Sequence, residues 1–107
     1  MSLYENIIKT SLGYKNSNRL MYVIGATRAS YLKKIRSISP DSFFLVPGVG
    51  AQGGNLEDVY HNGSNSQVGL LVNSSRGILY AGSGKEFDLA ALDAALFLQQ
   101  KMQKLLK

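Results

Sequence analysis

The sequence predicts an α/β fold in which parallel strands alternate with helices. Apolar runs of strand length alternate along the 107 residues with stretches whose apolar residues recur at helical spacing. Each strand run is apolar throughout rather than at every second position, which is typical of parallel strands that are covered on both faces. The connections between them are short. We therefore expect three right-handed βα units in one domain.

Seven elements follow from this pattern. Each predicted strand is bounded by glycine, proline or polar residues, and each predicted helix has apolar residues three or four positions apart. In chain order, they are a helix over 3–12, a strand over 20–25, a helix over 29–38, a strand over 43–47, a helix over 55–61, a strand over 68–73 and a helix over 86–106.

Residues that favour helix starts support these boundaries. Capping-box patterns at 2–5 and 83–86 predict where the first and last helices begin. Thr27 and Asn55 are candidate N-caps for the second and third helices. In the last helix, an apolar stripe over 91–105 advances by four and three residues, which predicts one buried side.

The composition excludes several classes of function. The chain has 12 Lys+Arg against 7 Asp+Glu, a net charge of +5, one His and no Cys. Its cations are scattered, which is typical of solvated helix faces, so we expect no nucleic-acid partner. The lack of cysteine excludes disulfides and thiolate metal sites. No apolar run approaches the roughly 18 residues of a membrane span, so we expect a cytoplasmic protein with no membrane partner.

The three strand ends carry the least ordinary residues of the chain. Parallel α/β folds place ligands at the carboxyl ends of their strands. The first strand ends in Gly25–Arg28, the second in the glycine-rich turn Pro47–Gly54, and the third in Asn73–Gly77. Glycines allow the backbone to approach a ligand closely, and an arginine beside two serines suits a phosphate monoester. The two later strand ends together therefore favour a phosphate site.

Simpler interpretations exist for each of these features. The glycine-rich turn could be a tight loop without a ligand, and Arg76 could be a surface ion-pairing residue. Residues 48–53 also match the G-x-G-x-x-G pattern of dinucleotide sites. That site needs an acidic residue about 20 positions later to bind the ribose, and the position holds Asn73. We therefore expect no cofactor.

Catalytic groups are scarce. The single histidine, His61, falls near the end of a short polar helix and away from every strand end, which is typical of a solvated residue. Asp88 and Asp93 are expected to be exposed on the last helix, and no carboxylates are paired at a catalytic spacing. A single histidine without cysteine also predicts no metal site.

Three segments, 23–27, 44–54 and 71–81, resemble orotidine 5'-phosphate decarboxylases, and more narrowly their longer bacterial subgroup. The resemblance covers nearly the whole chain and corresponds to the last third of that family. It implies strands six to eight of a TIM (β/α)₈ barrel. It also implies a carboxy-lyase of pyrimidine biosynthesis, which converts orotidine 5'-phosphate (OMP) to UMP and CO₂.

The resemblance assigns roles to residues at the two later strand ends. It implies that Gln52 and Arg76 bind the 5'-phosphate of the substrate, with backbone amides completing the anion site. The residues that supply or adjoin these amides are Gly53, Ser75 and Gly77. The residues expected in the pocket wall and the lid above it are Pro47, Gly48, Gly50 and Gly54.

The catalytic array of the family is absent from the chain. The resemblance implies an Asp-x-Lys-x-x-Asp motif on the early strands, and no Asp here is followed two residues later by Lys. We therefore expect a C-terminal fragment without catalytic residues that is inactive alone and pairs with the missing N-terminal part of the barrel. The alternatives are a non-catalytic phosphate- or nucleotide-binding module, or a fragment that forms homo-oligomers through exposed sheet edges.

Overall fold

A computed structural model of the protein describes residues 2–50 and 54–106. Three parallel strands form one sheet in the order β1-β2-β3, and helices precede and follow each strand. The elements are α1 (Leu3–Leu12), a 3₁₀ turn (Ser17–Arg19), β1 (Met21–Val23), α2 (Ala29–Ile38), β2 (Phe43–Pro47), α3 (Leu56–Gly63), β3 (Leu70–Asn73), α4 (Arg76–Leu79) and α5 (Phe87–Leu105).

Among the residues that the structure describes, the helices cover one face of the sheet only. On that face Phe44 and Val46 of the central strand are completely buried. On the opposite face Val23, Leu45 and Leu71 lie side by side in register. Val23 is 70% exposed and Leu71 is 52% exposed. The expectation that both faces are covered is therefore wrong for the described residues, although the strands carry the apolar residues that a second cover needs.

The core lies between the sheet and helices α1, α2 and α3. Its buried members include Ile8, Leu32, Leu56 and Val59. The Cα radius of gyration is 15.6 Å, whereas a compact domain of this length has about 13 Å. This larger radius matches a sheet that is covered on one side only.

Helix α5 packs more loosely than the other long helices. Within Phe87–Leu105, all of which the structure describes, no residue is fully buried. Leu98, Met102 and Leu105 pack against the core and are half-buried. The side predicted to be buried therefore does face the core, but it is only partly covered. No helix within 2–50 and 54–106 is long and apolar enough to cross a membrane.

Two strands are shorter than predicted, and one helix was not predicted. Strand β1 spans three residues, and β3 begins only at Leu70. Val68 and Gly69 precede β3 with φ angles of 72° and 68°, so this backbone turns in the left-handed region and cannot extend the strand. The four-residue helix α4 has no apolar periodicity of its own, because it is a single turn after β3.

One of the predicted helix caps forms. The Asn55 side chain accepts a hydrogen bond of 3.0 Å from the backbone amide of Asp58, which confirms this N-cap. Thr27 is not a cap, because α2 begins one residue later than that cap requires, with Arg28 at the N-cap position. The hydroxyl of Ser2 donates to the Glu5 carboxylate at 2.8 Å and so makes no backbone cap. The 83–86 capping box does not form either. It requires Glu86 inside the first turn of the helix, whereas Glu86 is the N-cap residue of α5 and its side chain makes no cap hydrogen bond.

A buried arginine holds the amino ends of β2 and β3 together. Arg36 of α2 is 9% exposed, so it is an exception to the solvated helix faces expected for most of the cations. Its Nε donates to the carbonyl of Gly63 at 2.7 Å. Its guanidinium also lies 3.8 Å from the centre of the Phe44 ring. Its other acceptors are backbone carbonyls next to the strand starts, namely those of Ser39, Pro40, Ser42 and Gly69.

Candidate functional site

The carboxyl ends of β2 and β3 meet at a small pocket. Pro47 and Asn73, the last residues of the two strands, lie opposite each other in register. The turns that follow them enclose a volume of about 50 Å³. Five of the residues predicted for the site line this pocket, namely Pro47, Gly48, Ser75, Arg76 and Gly77.

Glycine is required at several positions of the turn after β2. Gly48 and Gly50 have φ angles of 92° and 86°, which L-residues rarely adopt. The amide of Gly54 donates to the Gly48 carbonyl at 3.0 Å, which closes the turn. A Cβ at Gly54 would lie 2.5 Å from the Ala26 side chain and from the Gly48 carbonyl oxygen. The turn therefore keeps its shape only with glycine at these places.

The same turn approaches the loop after β3. A Cβ built on Gly50 would lie 4.0 Å from the hydroxyl oxygen of Ser74. Gly50 and Gly54 line a larger cleft of about 370 Å³ beside the pocket, and Gly77 lines both cavities. The predicted lid residues and the predicted anion-binding loop thus lie next to each other. Gln52 and Gly53, which are also predicted for the site, lie outside the described residues.

Arg76 begins α4 and is exposed to solvent. Within 2–50 and 54–106, its guanidinium takes part in no hydrogen bond or salt bridge. The backbone amides of Arg76 and Gly77 likewise have no acceptor among these residues. No acidic side chain lines the pocket in the part of the chain that the structure describes. This end of the sheet therefore presents positive charge and unused N–H donors, which is the chemistry that a phosphate group needs.

Asn73 was not predicted as a site residue, but it lines the pocket. Its side-chain amide nitrogen donates to the hydroxyl of Ser75 at 3.1 Å. Its position at the end of the third strand, three residues before Arg76, is the signal in the sequence that could have identified it.

The other strand end and the lone histidine do not contribute to the pocket. At the end of β1, the amide of Ala26 donates to the Pro47 carbonyl at 2.9 Å. Arg28 instead lies over the ring of Tyr31, 5.5 Å from its centre. His61 is exposed and packs edge-on against Tyr60, with ring centres 5.7 Å apart. Among the described residues, no cluster of three or more His, Cys, Asp or Glu could hold a metal ion.

A parallel sheet with helices on one face, apolar residues on the other and a polar pocket at its carboxyl end is built like part of the wall of a (β/α)₈ barrel. No protein-family model matches the chain. Curated relatives and solved structures do match the chain.

The chain belongs to the orotidine 5'-phosphate decarboxylase family and corresponds to the C-terminal part of its members. It is 52% identical over 104 residues to the orotidine 5'-phosphate decarboxylase of Flavobacterium johnsoniae, covering 97% of this chain and 38% of that protein. It is 52% identical over 101 residues to that of Porphyromonas gingivalis, covering 94% and 37% of the two chains. The solved OMP decarboxylase of Leishmania donovani matches at a TM-score of 0.76 and 27% identity, over 98% of this chain and 39% of that one.

The chain therefore spans somewhat more than a third of the length of the curated relatives that it matches. The barrel fold of these neighbours explains the open apolar face, since in a closed barrel that face points to the packed interior.

Proposed function

We propose that residues 1–107 form part of a barrel domain, the phosphate-binding C-terminal part of an orotidine 5'-phosphate decarboxylase. The observation that carries this proposal is the pocket at the carboxyl ends of β2 and β3, where an exposed Arg76 faces no competing carboxylate from the residues that the structure describes. The family relationship supplies the ligand, the 5'-phosphate of OMP or UMP. A cytoplasmic location belongs to the same proposal, in keeping with a chain that has no cysteine.

Arg76 is the principal phosphate ligand in this proposal. A guanidinium donates two parallel hydrogen bonds to phosphate oxygens, and its charge compensates part of the phosphate charge. The backbone around Ser75 and Gly77 lines the same pocket and supplies further N–H donors. The family resemblance adds Gln52 and Gly53, which follow β2 in the sequence, as further phosphate ligands. The residues that form the wall and lid are Pro47, Gly48, Gly50 and Gly54.

Phosphate binding assists the reaction from a distance. Decarboxylation breaks the bond between the ring carbon and the carboxylate, CO₂ leaves, and the electron pair remains on the ring carbon until a proton arrives. A fixed ammonium group in a water-poor site stabilises that charge. Binding energy from the remote phosphate offsets the free energy of closing the site around the ring. Arg76 thus contributes to turnover without contact with the bond that breaks.

The reacting groups must come from outside these 107 residues. No Asp-x-Lys-x-x-Asp motif occurs in the sequence. The open face of the sheet and the edges of β1 and β3, which pair with no further strand among the described residues, provide the surfaces that the N-terminal part of the barrel would cover. Beside β1, an apolar cleft of about 590 Å³ lined by residues of α1, β1 and α2 extends this surface. We therefore include the N-terminal part of the barrel as the partner of this chain.

A second copy of the chain is the alternative partner. Val23 and Leu71, at 70% and 52% exposure, favour self-association when no other partner is present. Sedimentation, with and without an N-terminal part of the barrel, distinguishes self-association from pairing with that part. The proposal expects homo-oligomers of the isolated chain that give way to a 1:1 complex when an N-terminal part is supplied. Monomers at high concentration would contradict the self-association alternative.

The experiment for the whole proposal joins this chain to the N-terminal part of the Flavobacterium johnsoniae relative. We expect the chimera to consume OMP, measured by its absorbance, and the isolated 107 residues to show no activity. Arg76→Ala in the chimera should lower kcat/KM by about 10- to 100-fold, because a charge-assisted hydrogen bond contributes roughly 1.5–3 kcal/mol. Arg19→Ala, an exposed arginine next to the amino end of β1, is the matched control and should leave kcat/KM unchanged.

A further inference from the structure

We propose that Asn73 is a positioning residue that orients the Ser75 hydroxyl toward the bound phosphate. This inference rests on the proposed function, since it concerns the same pocket. It assigns a role to a residue for which neither the sequence pattern nor the family resemblance gave one.

The hydrogen bond between Asn73 and Ser75 lies at the end of β3. Asn73 is the last residue of the strand and is held in register opposite Pro47. Its side-chain nitrogen donates a 3.1 Å hydrogen bond to the Ser75 oxygen two residues later. Both residues line the pocket next to Arg76. The strand thus fixes Asn73, and Asn73 in turn restrains the serine side chain in the loop.

The direction of this hydrogen bond decides what the hydroxyl can do. A serine hydroxyl has one proton to donate and two lone pairs that accept. Because the Asn73 amide is the donor, the Ser75 oxygen is the acceptor and its proton remains available. Within 2–50 and 54–106, no other group accepts that proton. A phosphate oxygen, which only accepts hydrogen bonds, is the chemical complement of such a hydroxyl.

Residue 73 is a neutral amide rather than a carboxylate, which allows an anion to bind at this strand end. A carboxylate at this position would accept the Ser75 proton and repel phosphate, as expected from its charge. Dinucleotide sites use an acidic residue at the corresponding strand end to bind ribose. With Asn73, this strand end therefore has no negative charge that would repel a phosphate group.

The test is a titration of the 107-residue chain with UMP, followed by NMR of the backbone amides. Asn73→Ala and Ser75→Ala should each weaken UMP binding about fivefold to tenfold, the effect of losing one hydrogen bond at an exposed site where water competes. The double variant should bind no more weakly than Ser75→Ala alone, because Asn73 acts through Ser75. Ser75→Thr keeps the hydroxyl and should bind nearly as well as the wild type.

Asn73→Asp provides a nearly isosteric second variant if Asn73→Ala fails to fold. It should weaken binding more than Asn73→Ala does, since it both captures the hydroxyl proton and adds a negative charge. Asn6→Asp places the same charge on the exposed surface of α1 and is its control. That control should change the dissociation constant less than twofold.

The possible outcomes separate this inference from the proposed function. If the wild-type chain does not bind UMP, the proposed phosphate site is wrong, and the role of Asn73 is wrong with it. If the wild type binds UMP and Arg76→Ala loses that binding while Asn73→Ala does not, only the positioning role is overturned. Additive losses in the double variant also overturn it, because Asn73 would then act independently of Ser75.

Discussion

Two arginines at opposite ends of the same sheet are used in opposite ways. Arg36, at the amino end, is buried and donates to five backbone carbonyls. Arg76, at the carboxyl end, is exposed and has no hydrogen-bond or ion-pair partner among the described residues. The donors of the first are used within the fold, whereas those of the second remain available to a ligand. In barrels of this kind, one end of the sheet serves stability and the other serves function.

The environment of Arg36 compensates for the burial of its charge. Burial lowers the pKa of the Arg36 guanidinium, while the nearby carboxylate of Asp41 acts in the opposite direction. Arginine remains charged at all ordinary pH values, so carbonyl dipoles must replace the lost water. The ring of Phe44, 3.8 Å away, adds a cation–π contact. This arrangement stabilises the starts of β2 and β3.

The largest expected effect comes from removing the buried arginine. Arg36→Ala should lower the free energy of unfolding by about 3 kcal/mol, because several buried carbonyls lose their donor and the core loses packing. Arg36→Lys should recover only part of this loss, since an ammonium group cannot reach the same set of acceptors. Urea unfolding followed by circular dichroism measures both values.

Lys33→Ala is the matched control on the same helix, because Lys33 is exposed. Its effect should stay within about 0.5 kcal/mol. A loss of similar size for Arg36→Ala and Lys33→Ala would show that Arg36 is not the structural residue of the pair.

A smaller effect is expected from Gly54→Ala at the carboxyl end. The new Cβ would lie 2.5 Å from the Ala26 side chain and from the Gly48 carbonyl oxygen, so the turn must shift. Such crowding costs about 1–3 kcal/mol of stability. Because the turn borders the pocket, UMP binding in an NMR titration should weaken as well.

Gly84→Ala is the control for this substitution, since a Cβ there has no heavy atom within 4 Å. It should leave both stability and UMP binding close to wild type. If Gly54→Ala bound UMP as well as Gly84→Ala did, the shape of the glycine turn would not matter for the pocket.

The smallest effect concerns the carboxyl group of Glu5, which is partly covered. The Ser2 hydroxyl is the main cause of a lowered pKa of Glu5, and Lys34, 3.7 Å away, lowers it further. A carboxyl whose pKa is lower in the folded state stabilises the fold above its unfolded pKa. This contribution is lost as the pH falls through the folded pKa. Ser2→Ala should therefore raise the Glu5 pKa, as measured by NMR titration of the carboxyl group. The free energy of unfolding near neutral pH should change little. An unchanged Glu5 pKa in Ser2→Ala would contradict this assignment.

Much of the fold could be predicted because its signals are local. Helical periodicity and the strand-length apolar runs predicted the order of the main elements. The family resemblance added the barrel, which explains why Val23 and Leu71 are apolar yet exposed. The turn at Val68 and Gly69 was missed, because positive φ at a valine is not encoded by any propensity.

The two arginines differ in what the sequence reveals about them. The phosphate-binding role of Arg76, which follows from its place after the third strand and from the family resemblance, stays a prediction. Arg36 is one of the scattered cations, most of which are expected on solvated helix faces, although it lies one turn after the buried Leu32 and next to Ile35. Its helical phase thus indicates burial. The carbonyls that accept its hydrogen bonds belong to residues 39, 40, 42, 63 and 69, which only the folded chain brings together.

The most direct test of the ligand-binding role of Arg76, as opposed to the structural role of Arg36, is thermal unfolding of the 107-residue chain with and without UMP. Ligand that binds only the folded state raises Tm, by about 5 °C when UMP exceeds its Kd roughly tenfold. We predict this rise for the wild type and its loss in Arg76→Ala, whose Tm without ligand should equal that of the wild type. An equal rise in Arg76→Ala would contradict the assignment of the carboxyl-end arginine to phosphate binding.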